Sequence, residues 1–279
     1  MTKRYEDYIE ANRKNWDDRV PIHVSSPHSY DIEGFIDDPE KLTLTVRFDS
    51  QFLPDLAGRS MLHLMCHIGL DTMSWARLGA RVIGVDLSGE SIRVATETAE
   101  RASSNAKFMQ SDVYDAGDAI EGKFDIVYMS MGVLIWLPDL ERLAGVVSSF
   151  LKPGGLFHLT EIHPVATSLD VPSDDQQLRI TKPYFESGEP LVVESDVSYV
   201  RGEGKIEHTT TYQWLHSMGE IVTAFTGSGL RLTMLKEHPF GGFPQGPPLE
   251  RKPDGWWEYP HGPEMVPLMY SLQAVKEGP

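Results

Sequence analysis

The residue pattern predicts an α/β protein, a doubly wound and mostly parallel sheet of seven strands with helices on both faces. Between residues 60 and 161 short apolar runs alternate with helical periodicity, the signature of successive βαβ units. The same grammar returns near the C-terminus as one capped helix and two more strands. Between the two blocks lie two β-rich runs separated by Gly202-Glu203-Gly204, which read as an antiparallel hairpin inserted into the sheet fold.

Tyr5, Tyr8, Ile9, Asn12 and Trp16 fall at helical spacing, so an amphipathic helix is expected to lie against the body of the protein. The pattern breaks into a loop from Pro21 to Tyr30, and Asp37-Asp38-Pro39 resembles a helix start. The strands expected next are Met61 to Met65, Arg81 to Asp86, Lys107 to Ser111, Phe124 to Ser130 and Leu156 to Glu161. Asp71 to Leu78 reads as a helix ended by Gly79. Ser88 caps another that runs to about Ala102, and Leu140, Leu143, Ala144, Val147 and Leu151 line a third. The inserted hairpin is expected from Leu191 to Arg201 and Lys205 to Trp214. Ser217 with Glu220 forms a capping box, and Arg231 to Glu237 and Met269 to Val275 complete the sheet. Residues 1–55 thus read as a helical cap and 56–279 as the sheet domain, with an insertion at about 165–214.

At 279 residues, with 41% hydrophobic and 24% charged, the chain can bury a core without disulfides. Its 41 acidic and 25 basic residues give a net charge of −16, which repels phosphate backbones and argues against a nucleic-acid partner. The longest apolar stretch, Ile126 to Leu137, is too short to cross a membrane. One cysteine, Cys66, and a first segment MTKRYEDYIE without an apolar run lead to the expectation of a reducing cytoplasm.

In an open parallel sheet, ligands bind above the carboxyl ends of the strands. Strand one runs into Met65-Cys66-His67-Ile68-Gly69, strand two ends in Asp86, strand three in Asp112 and strand four in Tyr128-Met129-Ser130. Asp86 follows Gly69 at a spacing suited to ribose hydroxyls, and Asp112 could accept from an adenine amino group. Each aspartate could also be a plain helix cap. Together they suggest an adenosine site.

On LHLMCHIG (62–69), VIGVDLS (82–88), SDVYDA (111–116), FDIVYMSMGVLIWLPDL (124–140) and LKPGGLFHLTEIHP (151–164), the chain resembles the class I S-adenosylmethionine-dependent methyltransferases. The resemblance covers about residues 60–161 and the last helix and strands. It implies S-adenosylmethionine as cofactor and a small-molecule methyl acceptor. Gly69 would admit the cofactor, Asp86 with Leu87 would hold the ribose, Asp112 with Val113 would frame the adenine, and Met129 and Ser130 would face the methionine. Family members usually carry an acid and three alternate glycines where this chain has His63, Met65, His67 and Gly69. His63, neutral, could accept one hydrogen bond from the methionine amino group but brings no charge. A dinucleotide dehydrogenase should show G-x-G-x-x-G, which is missing. A non-catalytic adenosylmethionine sensor is the other reading.

His163, after strand five, is expected to be the general base or to position the acceptor, with Tyr128, His208, Tyr212 and His216 as competitors. His63, Cys66 and His67 are not expected to bind metal, because strand alternation separates the cysteine from the histidines. Trp136 is either core or a wall of the substrate pocket. Trp256, Trp257 and Tyr259 are either a substrate cover or a protein contact. The hairpin is either a lid or the surface of a homodimer.

Overall fold

Residues 3–170, 178–243, 249–260 and 262–278 are described by the computed structural model. Seven strands form the main sheet: β1 (Ser60–Leu64), β2 (Arg81–Asp86), β3 (Lys107–Gln110), β4 (Phe124–Ser130), β5 (Leu151–Ile162), β6 (Leu230–His238) and β7 (Met269–Lys276). Their order is β6-β7-β5-β4-β1-β2-β3. Strands β1 to β5 run parallel, while β7 pairs antiparallel with both β5 and β6. This is the expected doubly wound fold.

The helices are α1 (Lys3–Val24), α2 (Ile32–Asp37), α3 (Leu44–Asp49), α4 (Leu70–Arg77), α5 (Gly89–Arg101), α6 (Ala116–Ala119), α7 (Leu140–Phe150), α8 (Pro164–Ser168) and α9 (Met218–Gly227). Their starts follow the sequence closely. Ser88 accepts from the Ser91 N–H, Asp139 from the Arg142 N–H, and Ser217 and Glu220 form a full capping box. The central strands are covered on both faces, which is why their sequences are continuously apolar rather than alternating. Leu62 and Leu64 pack with Leu143, Val147 and Phe157, whereas Met61 packs with Val46 and Trp75. On the latter side Asp49, fully buried, accepts from Tyr128 Oη at 2.7 Å and Thr160 Oγ1 at 2.6 Å, and lies 3.2 Å from His158 Nε2. Those bonds tie α3 beneath β4 and β5.

Three local expectations are corrected. Helix α1 does not stop at Pro21 but continues to Val24, because Val20, Ile22 and His23 are buried there and their packing offsets the lost hydrogen bond. Asp37-Asp38-Pro39 ends α2 instead of opening a helix; the next start is Thr43, whose side chain accepts from the Val46 N–H. The inserted hairpin exists, but Leu191–Glu194 pairs with Thr210–Gln213 alone, and residues 195–209 leave the ladder to pack on α1. Asp18 accepts from the Glu207 and His208 N–H groups, both at 2.7 Å. Gly202 is there for close approach rather than for a turn: a Cβ would meet the Ile22 carbonyl oxygen at 1.9 Å.

Candidate active site

Strand order reverses between β1 and β4, and a cavity of ≈ 530 Å³ opens above that point. Its lining includes His63, Met65, His67, Gly69, Asp86, Leu87, Asp112, Val113 and Ser130. Met129 is not part of it. Alternation along β4 sends that side chain into the core, where it is fully buried.

The loop after β1 keeps the backbone shape that glycines would favour without the glycines. Met65 has φ 60, His67 φ 50 and Gly69 φ 76, so three alternate residues are left-handed. The two that are not glycine each cost about 1–2 kcal/mol. Side-chain bonds hold the strain at His67, where Nδ1 lies 3.0 Å from Ser91 Oγ and Nε2 lies 2.7 Å from His23 Nδ1. His23 in turn reaches Ser198 Oγ at 2.9 Å, so one chain of bonds joins α5, the loop, α1 and the insertion. Burial lowers His67 to about 3 and His23 to about 2, which leaves both rings neutral. At Gly69 the protein itself already requires glycine, since a Cβ would sit 2.5 Å from Phe108 Cε1 and 2.9 Å from Ala95 Cβ.

Asp86 accepts from the His67 N–H at 2.8 Å on one oxygen and the Ser88 N–H at 2.9 Å on the other, and lines the cavity. Burial raises its pKa to about 6 against the pull of those donors. Asp112 accepts from the Tyr114 N–H at 2.9 Å and is likewise raised by burial. Both aspartates therefore accept local backbone N–H groups and line the cavity at the same time.

His63 is 1% exposed, with Nδ1 2.8 Å from Thr72 Oγ1 and Nε2 3.4 Å from Ser130 Oγ. Burial lowers it to about 3, so it carries no charge. Sequence reasoning missed the charge beside it. Asp71, in the first turn of α4, lines the cavity and accepts from Ser130 Oγ at 3.0 Å. Burial raises this carboxyl despite that bond and one from Thr43. The available signal was its position two residues beyond Gly69, at the positive end of a helix.

A second cavity of ≈ 310 Å³ adjoins the first and shares Trp16, Met131, Gly132, Trp136, Tyr199 and Phe243 with it. Trp16 and Trp136 meet edge to face at 5.3 Å in the shared wall. Glu161 also lines this cavity, but its carboxylate accepts the N–H groups of Gly132, Val133, Leu134 and Ile162, which fixes the loop after β4.

His163 lines neither cavity. Its Nδ1 accepts the Val165 N–H at 3.1 Å as the cap of α8, and its Nε2 lies 2.8 Å from Glu237 Oε1. The capping bond occupies the one lone pair of the neutral ring. Among the competitors, Tyr128 bonds Asp49, His208 bonds Asp18 and Tyr212 stacks on Tyr8 at 4.1 Å. His216 is different, because it lines the second cavity. Its Nε2 lies 2.7 Å from the Leu137 carbonyl, which only accepts, so the neutral ring carries its lone pair on Nδ1. Burial keeps that ring below the ordinary histidine range. Trp257 lines the first cavity, whereas Trp256 and Tyr259 are buried.

Residues 61–155 match the family described as the methyltransferase domain. These residues form a methyltransferase domain. Among curated relatives of this methyltransferase domain, a ubiquinone biosynthesis O-methyltransferase of Xanthomonas oryzae pv. oryzae is 34% identical over 119 residues, 42% of this chain and 49% of that one. The chain therefore spans about half the length of the curated relatives it matches. The fold extends further: a putative S-adenosylmethionine-dependent methyltransferase from Listeria monocytogenes superposes with a TM-score of 0.62 at 18% identity, covering 84% of this chain and 99% of that one. The glycopeptide N-methyltransferase MtfA, complexed with S-adenosylmethionine, gives 0.53 at 17% identity over 83% and 92% of the two chains. Among the described residues no helix is long and apolar enough to cross a membrane.

Proposed function

We propose that this chain is an S-adenosylmethionine-dependent methyltransferase acting on a small molecule. The observation that carries the reading is the set of three carboxyl groups, Asp71, Asp86 and Asp112, at the ends of neighbouring elements around one cavity at the switch point. Asp86 is the carboxylate placed for ribose hydroxyls, Asp112 has an acceptor for an exocyclic amine, and Asp71 is the acid for an ammonium that neutral His63 cannot balance. Bound there, the cofactor supplies an electrophilic sulfonium methyl for in-line displacement. Asp71 also weighs against a dinucleotide, since an acid in the first turn of α4 stands where a pyrophosphate would need the helix N-terminus.

The second cavity is the natural acceptor chamber, bordering the first along the wall that Trp16 and Trp136 form. Side chains of α1 and the insertion wall both cavities, which keeps water from the reacting groups. Nδ1 of His216 is the group we assign to take a proton from a hydroxyl or amine acceptor, in place of His163. The O-methyltransferase names of the relatives favour a hydroxyl acceptor. A cytoplasmic setting accords with a single buried cysteine.

Calorimetry with S-adenosylmethionine, followed by incubation with labelled cofactor and a metabolite mixture, tests the reading. Binding with release of S-adenosylhomocysteine supports it. Binding without turnover for any acceptor favours the sensor, and tighter binding of NAD overturns it.

A further inference from the structure

Arg19 is buried in a way that a strongly acidic protein has no structural reason to maintain. It lies on α1, is 9% exposed and lines the second cavity. Its Nε donates to Asn15 Oδ1 at 2.6 Å, and Asn15, fully buried, is itself held by Nδ2 donating to the His208 carbonyl at 2.6 Å. The guanidinium carbon sits 5.5 Å from the Trp16 ring. Among the described residues no carboxylate pairs with it and no acceptor meets its two Nη groups. The chain has 41 acidic residues for 25 basic ones, so partners were not scarce. Its Nη donors therefore open on the cavity with no acceptor among the described residues, placed to meet a ligand there.

Glu161 shares the cavity, but four backbone N–H groups already occupy its carboxylate. The remaining walls include Trp16, Trp136, Trp214 and Phe243, flat and apolar. A cavity of ≈ 310 Å³ is at the small end for organic ligands and suits one ring with short substituents. Two parallel Nη donors match the two oxygens of a carboxylate, a geometry that lysine does not offer.

We propose that the second cavity binds a small aromatic carboxylate and that Arg19 is the residue that selects it. The occupant's role as methyl acceptor rests on the methyl-transfer reading; its negative charge does not. Asn15 aims the guanidinium, the tryptophans supply apolar wall for the ring, and His216 lies on the same cavity to meet a second substituent.

The test compares 4-hydroxybenzoate with 4-hydroxybenzamide, which share a shape and differ in charge, by calorimetry and by quenching of tryptophan fluorescence at pH 7.5. The parent protein should bind the acid at least about tenfold tighter than the amide. Arg19→Gln should erase that preference while leaving amide binding unchanged. Arg19→Lys, which keeps the charge should the glutamine variant fail to fold, should weaken acid binding by about tenfold. Equal binding of acid and amide by the parent, binding of neither, or a preference surviving in Arg19→Gln overturns the proposal. Both ligands are titrated with and without S-adenosylmethionine. Acid selectivity without any cofactor binding would refute methyl transfer and leave the carboxylate site standing, and the reverse result would do the opposite.

Discussion

Protonation of Asp86 offers the sharpest quantitative prediction. Burial raises this carboxyl to about 6, while the ribose contact calls for the ionised form. At pH 5 about one molecule in ten would carry the carboxylate, and at pH 8 nearly all would. Cofactor affinity should therefore weaken about tenfold between pH 8 and pH 5 and be flat above pH 7. Stability of the free protein moves the other way. A folded value above the ordinary 3.8 contributes stability that is fully present below pH 3.8 and is lost as the pH rises through 6, about 3 kcal/mol in all. Asp86→Asn removes both trends. It also replaces two charge-assisted contacts by weaker ones, so affinity at pH 7 should fall about 100-fold. Calorimetry from pH 5 to 8, paired with urea unfolding from about pH 3.5 to 8, reads both quantities. A parent affinity that does not change between pH 5 and 7, or a folded Asp86→Asn protein that binds normally, would refute the assignment of Asp86 to the ribose.

Three further outcomes follow from named contacts. His216→Ala should lower turnover by about 100-fold with cofactor affinity nearly unchanged, measured by steady-state kinetics beside calorimetry; normal turnover would remove it as the base. Asp49→Ala strands the donors of Tyr128 and Thr160 in the core and should cost about 3–5 kcal/mol in urea unfolding, whereas a loss below about 1 kcal/mol would show that α3 is held by packing alone. Gly202→Ala puts a Cβ 1.9 Å from the Ile22 carbonyl oxygen and should destabilise the protein by about 1–3 kcal/mol, seen as faster proteolysis of the insertion; unchanged proteolysis would mean that the segment 195–209 is not seated on α1.

The sequence by itself determined the sheet and its ligand edge. Continuous apolar strands, Ser88 and Ser217 caps, and aspartates at the ends of β2 and β3 are local signals, set by burial on two faces and by unpaired N–H groups at helix starts. From these the cavity at the switch point followed, and nine of the ten residues expected around the cofactor line it. Tertiary structure alone decided the rest, because each remaining case turns on a partner distant in the chain. Pro21 stays helical because buried neighbours outweigh one lost hydrogen bond. Gly202 marks contact with Ile22 rather than a hairpin turn. The lone pair of His163 is spent on capping α8, and that of His216 lies on Nδ1 because of a carbonyl 79 residues away. The carboxyl group beside His63 comes from Asp71, and Arg19 faces a cavity that exists only once α1 and the insertion close over the sheet. Periodicity reports which face of an element is buried, but the pairing of buried polar groups depends on three-dimensional proximity, which no local pattern encodes.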